Sequence, residues 1–247
     1  MRRFILGAFF LSVAACSPKP APVVAPTPAA ARQATPAERP TPDSIRWVRE
    51  SAEYRAAVTQ VYRIATARVE QAATSRQAGS WAVVLDADET VLDNSTYQLE
   101  RAKIGLAFTP ESWNLWVKRR EAVGLPGSGA FLARVRALGG KIAIVTNRLG
   151  TECDDTRAVF DSNKLAYDVI LCREAGMPSD KNPRFEAVAS GAALRSSTPL
   201  DVVMFVGDNI LDFPRLSQDV KTQGAPALTD FGVRFFLVPN PMYGSWQ

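Results

Sequence analysis

Apolar residues recur at close to helical spacing at Ile45, Val48, Ala52, Val58, Tyr62, Ala65 and Val69. That spacing predicts one long helix to about residue 75, with Thr41 as N-cap, Pro42 at its first position and one face against a core. Beyond it the pattern changes. Five short β-branched runs, 82–86 (AVVLD), 141–146 (KIAIVT), 167–171 (YDVIL), 201–206 (DVVMFV) and 233–238 (VRFFLV), are mostly apolar without alternation. Strands of that kind are buried on both faces, and helical stretches separate them. The expected fold class is therefore α/β: a Rossmann-like three-layer α/β/α core with a parallel central sheet. "SGAFLARVRALGG" is a helix stopped by Gly139 and Gly140 just before the second strand. The 54 residues from 87 to 140 exceed one crossover, and "FTPESWNLWVKRREAVGLPG" within them has its own helix start at Thr109 and Pro110. An insertion at about 94–126 should join the N-terminal helix in a small helical layer, part of a cap.

The chain opens differently. "MRRFILGAFFLSVAAC" has a basic start and an apolar stretch of 12 residues, too short to cross a bilayer of about 30 Å as a helix. Residues 1–15 are expected to be a cleaved signal peptide. "VAAC" resembles a bacterial lipobox, which makes Cys16 the lipidation site and anchors the protein to a membrane through lipid. Ser17 in place of Asp points by sorting rules to the outer membrane of a Gram-negative bacterium, periplasmic or surface-exposed. Residues 17–42 hold 8 of the 17 prolines, so 16–42 reads as an extended linker, and 43–247 as the folded domain.

Composition narrows the chemistry. The net charge is +4, with Arg2 and Arg3 supplying two units, so no nucleic-acid polymer is expected as partner. The absence of histidine excludes Ser-His-Asp triads, phosphohistidine chemistry and imidazole metal sites. Cys153 and Cys172 could pair or remain free thiols; the sequence leaves this open, as it does a homodimer.

Open parallel sheets bind ligands at the carboxyl ends of their strands, and here those ends carry the polar residues. The first run ends in Asp86-Ala-Asp88-Glu-Thr90, the second in Thr146-Asn147-Arg148, and the fourth in Gly207-Asp208, with Asp212 one turn on. Lys181 and Arg184 lie near a helix start between the third and fourth runs. Four acids within residues 86–93 are mutually repulsive unless a cation, protons or donors offset them. Magnesium suits such an all-oxygen cluster, held by Asp86, Asp208 and the backbone carbonyl of Asp88.

These residues resemble the four motifs of the haloacid dehalogenase superfamily: Asp-x-Asp, a Ser or Thr, a Lys, and an acidic pair. The closer similarity is to the class C acid phosphatases, bacterial lipoproteins of this size, through "SAEYRAAVTQ", "DADETVLDNS", "TNR", "GDNILDF" and "PNPMYGSW". The resemblance implies a Mg2+-dependent phosphomonoesterase with an acid phosphatase or 5′-nucleotidase activity. Asp86 would attack phosphorus and form an aspartyl-phosphate, while Asp88 serves as acid and then base. Thr146, Asn147 and Lys181 would hold the phosphoryl oxygens, and Asp212 would hold metal-bound water or orient Lys181. Trp113 and Tyr243 match the family's aromatic pair around a nucleobase or nicotinamide, which implies a nucleoside 5′-monophosphate or nicotinamide mononucleotide as the small-molecule substrate. Trp116 reads as packing for the helical layer. The P-type ATPase motif Asp-Lys-Thr-Gly-Thr is absent, and Asp88 favours phosphoryl transfer over dehalogenation. The alternative is a lipid-anchored nucleotide-binding or surface-interaction protein that keeps the fold without turnover.

Overall fold

The computed structural model describes residues 40–247; the signal peptide at 1–15, Cys16 and nearly all of the 16–42 linker lie outside the described residues. Two helices, α1 (Asp43–Glu50) and α2 (Ala52–Ala73), replace the single N-terminal helix expected from periodicity. Ser51 is extended, and its hydroxyl accepts the Tyr54 N–H at 3.0 Å. One residue thus ends α1 and caps α2. Apolar spacing does not register a break this short. Pro42, rather than Thr41, takes the N-cap position of α1, without a side-chain cap.

The strands are β1 (Trp81–Leu85), β2 (Leu92–Asp93), β3 (Val123–Gly124), β4 (Lys141–Leu149), β5 (Val169–Arg173), β6 (Asp201–Gly207) and β7 (Phe235–Leu237). The remaining α-helices are α3 (Ser95–Lys103), α4 (Pro110–Arg119), α5 (Ser128–Ala137), α6 (Cys153–Ser162), α7 (Asn182–Ala189) and the short α8 (Val220–Gln223). Five strands form one parallel sheet in the order β5-β4-β1-β6-β7. β1 lies at its centre and is buried at every position. Trp81, Val83 and Leu85 pack with Val58, Tyr62 and Val69 of α2 and with Phe131 and Val135 of α5. Ala82 and Val84 face Phe185 and Val188 of α7, with Phe213 and Phe235. Successive side chains on a strand alternate faces, so Asp86, next in the even-numbered row, is directed to the side of α7.

Two elements depart from the expected pattern. β4 runs on to Leu149, which pairs with Arg173 after an irregular register beyond Val145. Thr146-Asn147-Arg148 is therefore a distorted stretch inside a strand and not a strand end leading into a helix. The insertion is closed at its neck by an unanticipated antiparallel pair, Leu92 opposite Gly124 and Asp93 opposite Val123. α3 and α4 lie between. Thr109 caps α4, its hydroxyl accepting the Ser112 N–H at 3.2 Å with Pro110 at the first helical position. Buried Tyr97 joins α3 to α4, its ring edge-on to Trp113 at 5.1 Å.

Cys153 and Cys172 are joined in a disulfide that ties the start of α6 to β5 across 19 residues. A loop of that length contributes about 3 kcal/mol in the chain-entropy view. Among the described residues no helix is long and apolar enough to cross a membrane.

Candidate active site

The chain leaves β1 by a tight turn: Val91 and Leu92 return their N–H groups to the Ala87 carbonyl at 3.0 and 2.8 Å. This turn holds the acidic run together at the tip of the central strand. Leu85 pairs with Ile144 on one side and Val206 on the other, so the neighbouring strands bring Thr146 and Asp208 to the same edge. Lys181 sits immediately before α7, on the face toward which Asp86 is directed.

Lys181 is buried, and its ammonium donates to the Asp86 carboxylate and, at 2.6 Å, to Asp212 Oδ1. Asp212 Oδ2 accepts the Asn209 N–H at 2.9 Å, within the turn Ile210–Asp212. Carboxylate oxygens of Asp86, Asp208 and Asp212 lie within 4.8 Å of one another. Asp208 is half-buried and is met by the Thr90 hydroxyl at 3.2 Å and the Asn240 amide at 2.8 Å.

The electrostatics of this group are lopsided. Burial pushes the Asp86 carboxyl up to about 7, against the pull of Lys181 and with the push of Asp212 and Asp88. Burial, then repulsion from Asp212 and Asp86, likewise raises Asp208 well above the carboxylate range. Burial disfavours the Lys181 charge, yet Asp212 and Asp86 together hold it above its ordinary value. One ammonium thus faces three acids. An all-oxygen donor set with surplus negative charge fits a hard dication such as Mg2+, and Asp86, Asp208 and Asp212 are the side chains able to hold it.

A carboxyl with a raised folded-state pKa binds protons more tightly folded than unfolded, so its contribution disfavours the fold as pH rises from about 4 to about 7. In chelator the Asp86 contribution to Tm is expected to fall across that window, and stabilisation by a divalent ion held among these acids, with Mg2+ as the probe, should grow over the same range. Thermal melts at several pH values with and without Mg2+ check this; an Mg2+ effect that does not vary with pH contradicts it.

Asp88 is held differently. Arg148, with its side chain 1% exposed, donates from Nη2 to Asp88 Oδ1 at 2.7 Å and from Nε to Oδ1 and Oδ2 at 3.0 and 3.2 Å. Asn94 adds its amide to Oδ1 at 2.9 Å. Oδ1 therefore carries three donors, while Oδ2 has one long contact. The Asp88 side chain is outside the oxygen cluster around Asp86. Thr146 is buried, and its hydroxyl oxygen accepts the Arg148 N–H at 3.1 Å. Asn147 is exposed; Arg184 grips this stretch through the Thr146 carbonyl at 2.5 Å and the Asn147 side-chain oxygen at 2.6 Å.

The aromatic candidates separate. Trp116 is buried, with its indole N–H on Asn94 at 2.9 Å. Trp113 is half-buried, with the Arg148 guanidinium 5.5 Å from its ring centroid. Tyr243 donates its hydroxyl to Glu89. The two rings are thus linked to adjacent residues of the acidic turn, Trp113 to Asp88 through Arg148 and Tyr243 to Glu89.

Arg148, Asn94, Glu89 and Asn240 received no role from sequence, although each lies inside one of the segments that carry the family resemblance, "TNR", "DADETVLDNS" and "PNPMYGSW".

A family model, HAD superfamily, subfamily IIIB (Acid phosphatase), matches residues 12–246. The chain belongs to this family. Two solved structures agree with the assignment. The class C acid phosphatase from Bacillus anthracis is 31% identical, with a TM-score of 0.72 over 83% of this chain and 85% of that one. The same enzyme with tungstate bound is matched at 29% identity and a TM-score of 0.74, with the same coverage. This HAD acid phosphatase is accordingly a phosphomonoester hydrolase, with the α/β fold of the class C enzymes.

Proposed function

We propose that the chain is a Mg2+-dependent phosphatase of nucleoside 5′-monophosphates or nicotinamide mononucleotide that works through an aspartyl-phosphate on Asp86. The observation that carries this is the buried grouping of Asp86, Lys181 and Asp212 beside Asp208. Asp86 forms a bond to phosphorus as the ester P–O bond breaks. The departing oxygen takes a proton from Asp88. Asp88 Oδ2, which has only the 3.2 Å contact to Arg148, is the oxygen free to carry that proton. Asp88 then removes a proton from water as the water oxygen attacks phosphorus and the Asp86–phosphate bond breaks. Thr146, the Asn147 backbone and Lys181 hold the phosphoryl oxygens. Mg2+, held by Asp86 and Asp208 with the Asp88 carbonyl, would neutralise charge on the phosphoryl group. Asp212 keeps Lys181 directed at Asp86.

Trp113 and Tyr243 provide the faces for the base. Stacking of this kind is worth about 1–3 kcal/mol per base and tolerates many rings. Trp113→Ala should therefore lower kcat/KM for AMP by about tenfold more than for glycerol 2-phosphate, which has no ring. Equal losses on both substrates would remove the base-stacking reading.

The lipobox-like "VAAC", with Ser17 and not Asp after it, supports a lipid anchor at Cys16 and an outer-membrane location. Fractionation of wild type and Cys16→Ala tests it: the wild type should sediment with outer membrane and the variant should not. Equal distributions would count against the anchor.

A further inference from the structure

Glu89 is one of two acids of the first motif, with Asp93, for which the reaction has no use, and it is the more unusual of the two. It is 1% exposed, and its backbone has φ +53. A left-handed conformation costs a side-chain-bearing residue roughly 1–2 kcal/mol, and burying a carboxylate adds to that cost. Such a residue persists only where its surroundings determine it, and strain of this kind gathers at functional sites. Three contacts do so here. The Glu89 N–H donates to the Leu92 carbonyl at 2.8 Å, Oε1 accepts the Asn94 N–H at 2.8 Å, and Oε2 accepts the Tyr243 hydroxyl.

Tyr243 belongs to the C-terminal segment after Val238, which contains neither helix nor strand. That segment is fastened to the loops that carry the acids. Asn240 donates to Asp208 at 2.8 Å and accepts the Met242 N–H at 3.0 Å. Ser245 donates to the Asn209 side chain at 2.6 Å and accepts from Gln218 at 2.9 Å. The segment thus crosses from the tip of β6 to the tip of β1, and among the described residues its hydrogen bond to the β1 tip is that of the Tyr243 hydroxyl on Glu89.

We propose that Glu89 is a specificity-determining positioning residue, which holds the Tyr243 ring beside the acidic turn and so makes preference for ring-bearing phosphomonoesters depend on the C-terminal segment. This rests on the base-stacking reading above and adds to it the reason that one ring stays in place. The Glu89 carboxylate does not touch the reacting atoms. Its effect passes through Tyr243 and appears in nucleotide affinity.

The test uses the full chain with Mg2+ and the ratio of kcat/KM for AMP to kcat/KM for glycerol 2-phosphate. Tyr243→Phe keeps the ring and removes only the hydroxyl; the ratio is expected to fall about 5- to 10-fold, through KM for AMP. Glu89→Gln can still accept from Asn94 and give an amide N–H to the tyrosine oxygen, so its ratio should stay within about twofold of wild type. Glu89→Ala combined with Tyr243→Phe should lie no lower than Tyr243→Phe alone, because both remove one link. Should Glu89→Ala fail to fold, the other two variants decide. An unchanged ratio in Tyr243→Phe, while Trp113→Ala still lowers it, overturns the role of Glu89 and leaves the stacking reading standing. An unchanged ratio in both overturns the two together.

Discussion

Replacing Asp86 with Asn is expected to lower kcat by about 10⁴-fold or more on nucleotide and glycerol phosphate alike, the scale seen when a nucleophile is removed from a concerted group. The change is a single oxygen for an NH2 of nearly equal size, in a residue 8% exposed at the tip of the central strand. Its amide oxygen can still accept from Lys181, so the loss should fall on turnover with KM changed only a few-fold. Acid quenching of wild type with labelled substrate should leave phosphate on the protein, and the variant should carry none. Activity above about one per cent of wild type in Asp86→Asn would mean that another group makes the bond to phosphorus.

Lys181→Met should be the most damaging substitution for stability. The residue is 4% exposed and donates to Asp86 and Asp212. Removing the cation leaves three neighbouring acids to repel one another without a buried counter-charge. Breaking a buried pair from one side costs about 3–5 kcal/mol, which for a domain of this size is roughly 6–20 °C in Tm. Measured in chelator the full loss should appear, and Mg2+ should restore part of it, since a dication replaces some of the missing positive charge. Turnover at saturating Mg2+ and well below Tm should fall by about 10²–10³, the effect of removing one charged donor from a developing phosphoryl charge. A variant with unchanged Tm in chelator would show that Lys181 does not offset the acids.

Asp86, Asp88 and Asp208, which the sequence made legible, share one property: each follows a strand whose burial is written in its own residues. The run AVVL is buried throughout, so the acids after it had to emerge at the sheet edge. Asp208 follows β6 for the same reason, and the Thr-Pro signal at Thr109 and Pro110 correctly marked α4. Where the sequence misled, one residue had two local readings. Ser51 fits a helix interior or a cap, and only the geometry of α1 against α2 selects the cap. The stretch after Val145 could end a strand or distort one, and the pairing of Leu149 with Arg173 made it the latter.

The sequence by itself determined the α/β layering, the strand tips and the chemical kinds of residue placed there, because periodicity, apolar runs and turn residues are local and act within a few positions. Tertiary structure alone decided which partner each charge meets. Lys181 reaches Asp86 across 95 residues, Arg148 reaches Asp88 across 60, and Tyr243 reaches Glu89 across 154. It also decided that Cys153 and Cys172 are joined. Such pairings depend on strand order and register, through which residues far apart in the chain become neighbours, and no short-range pattern encodes them.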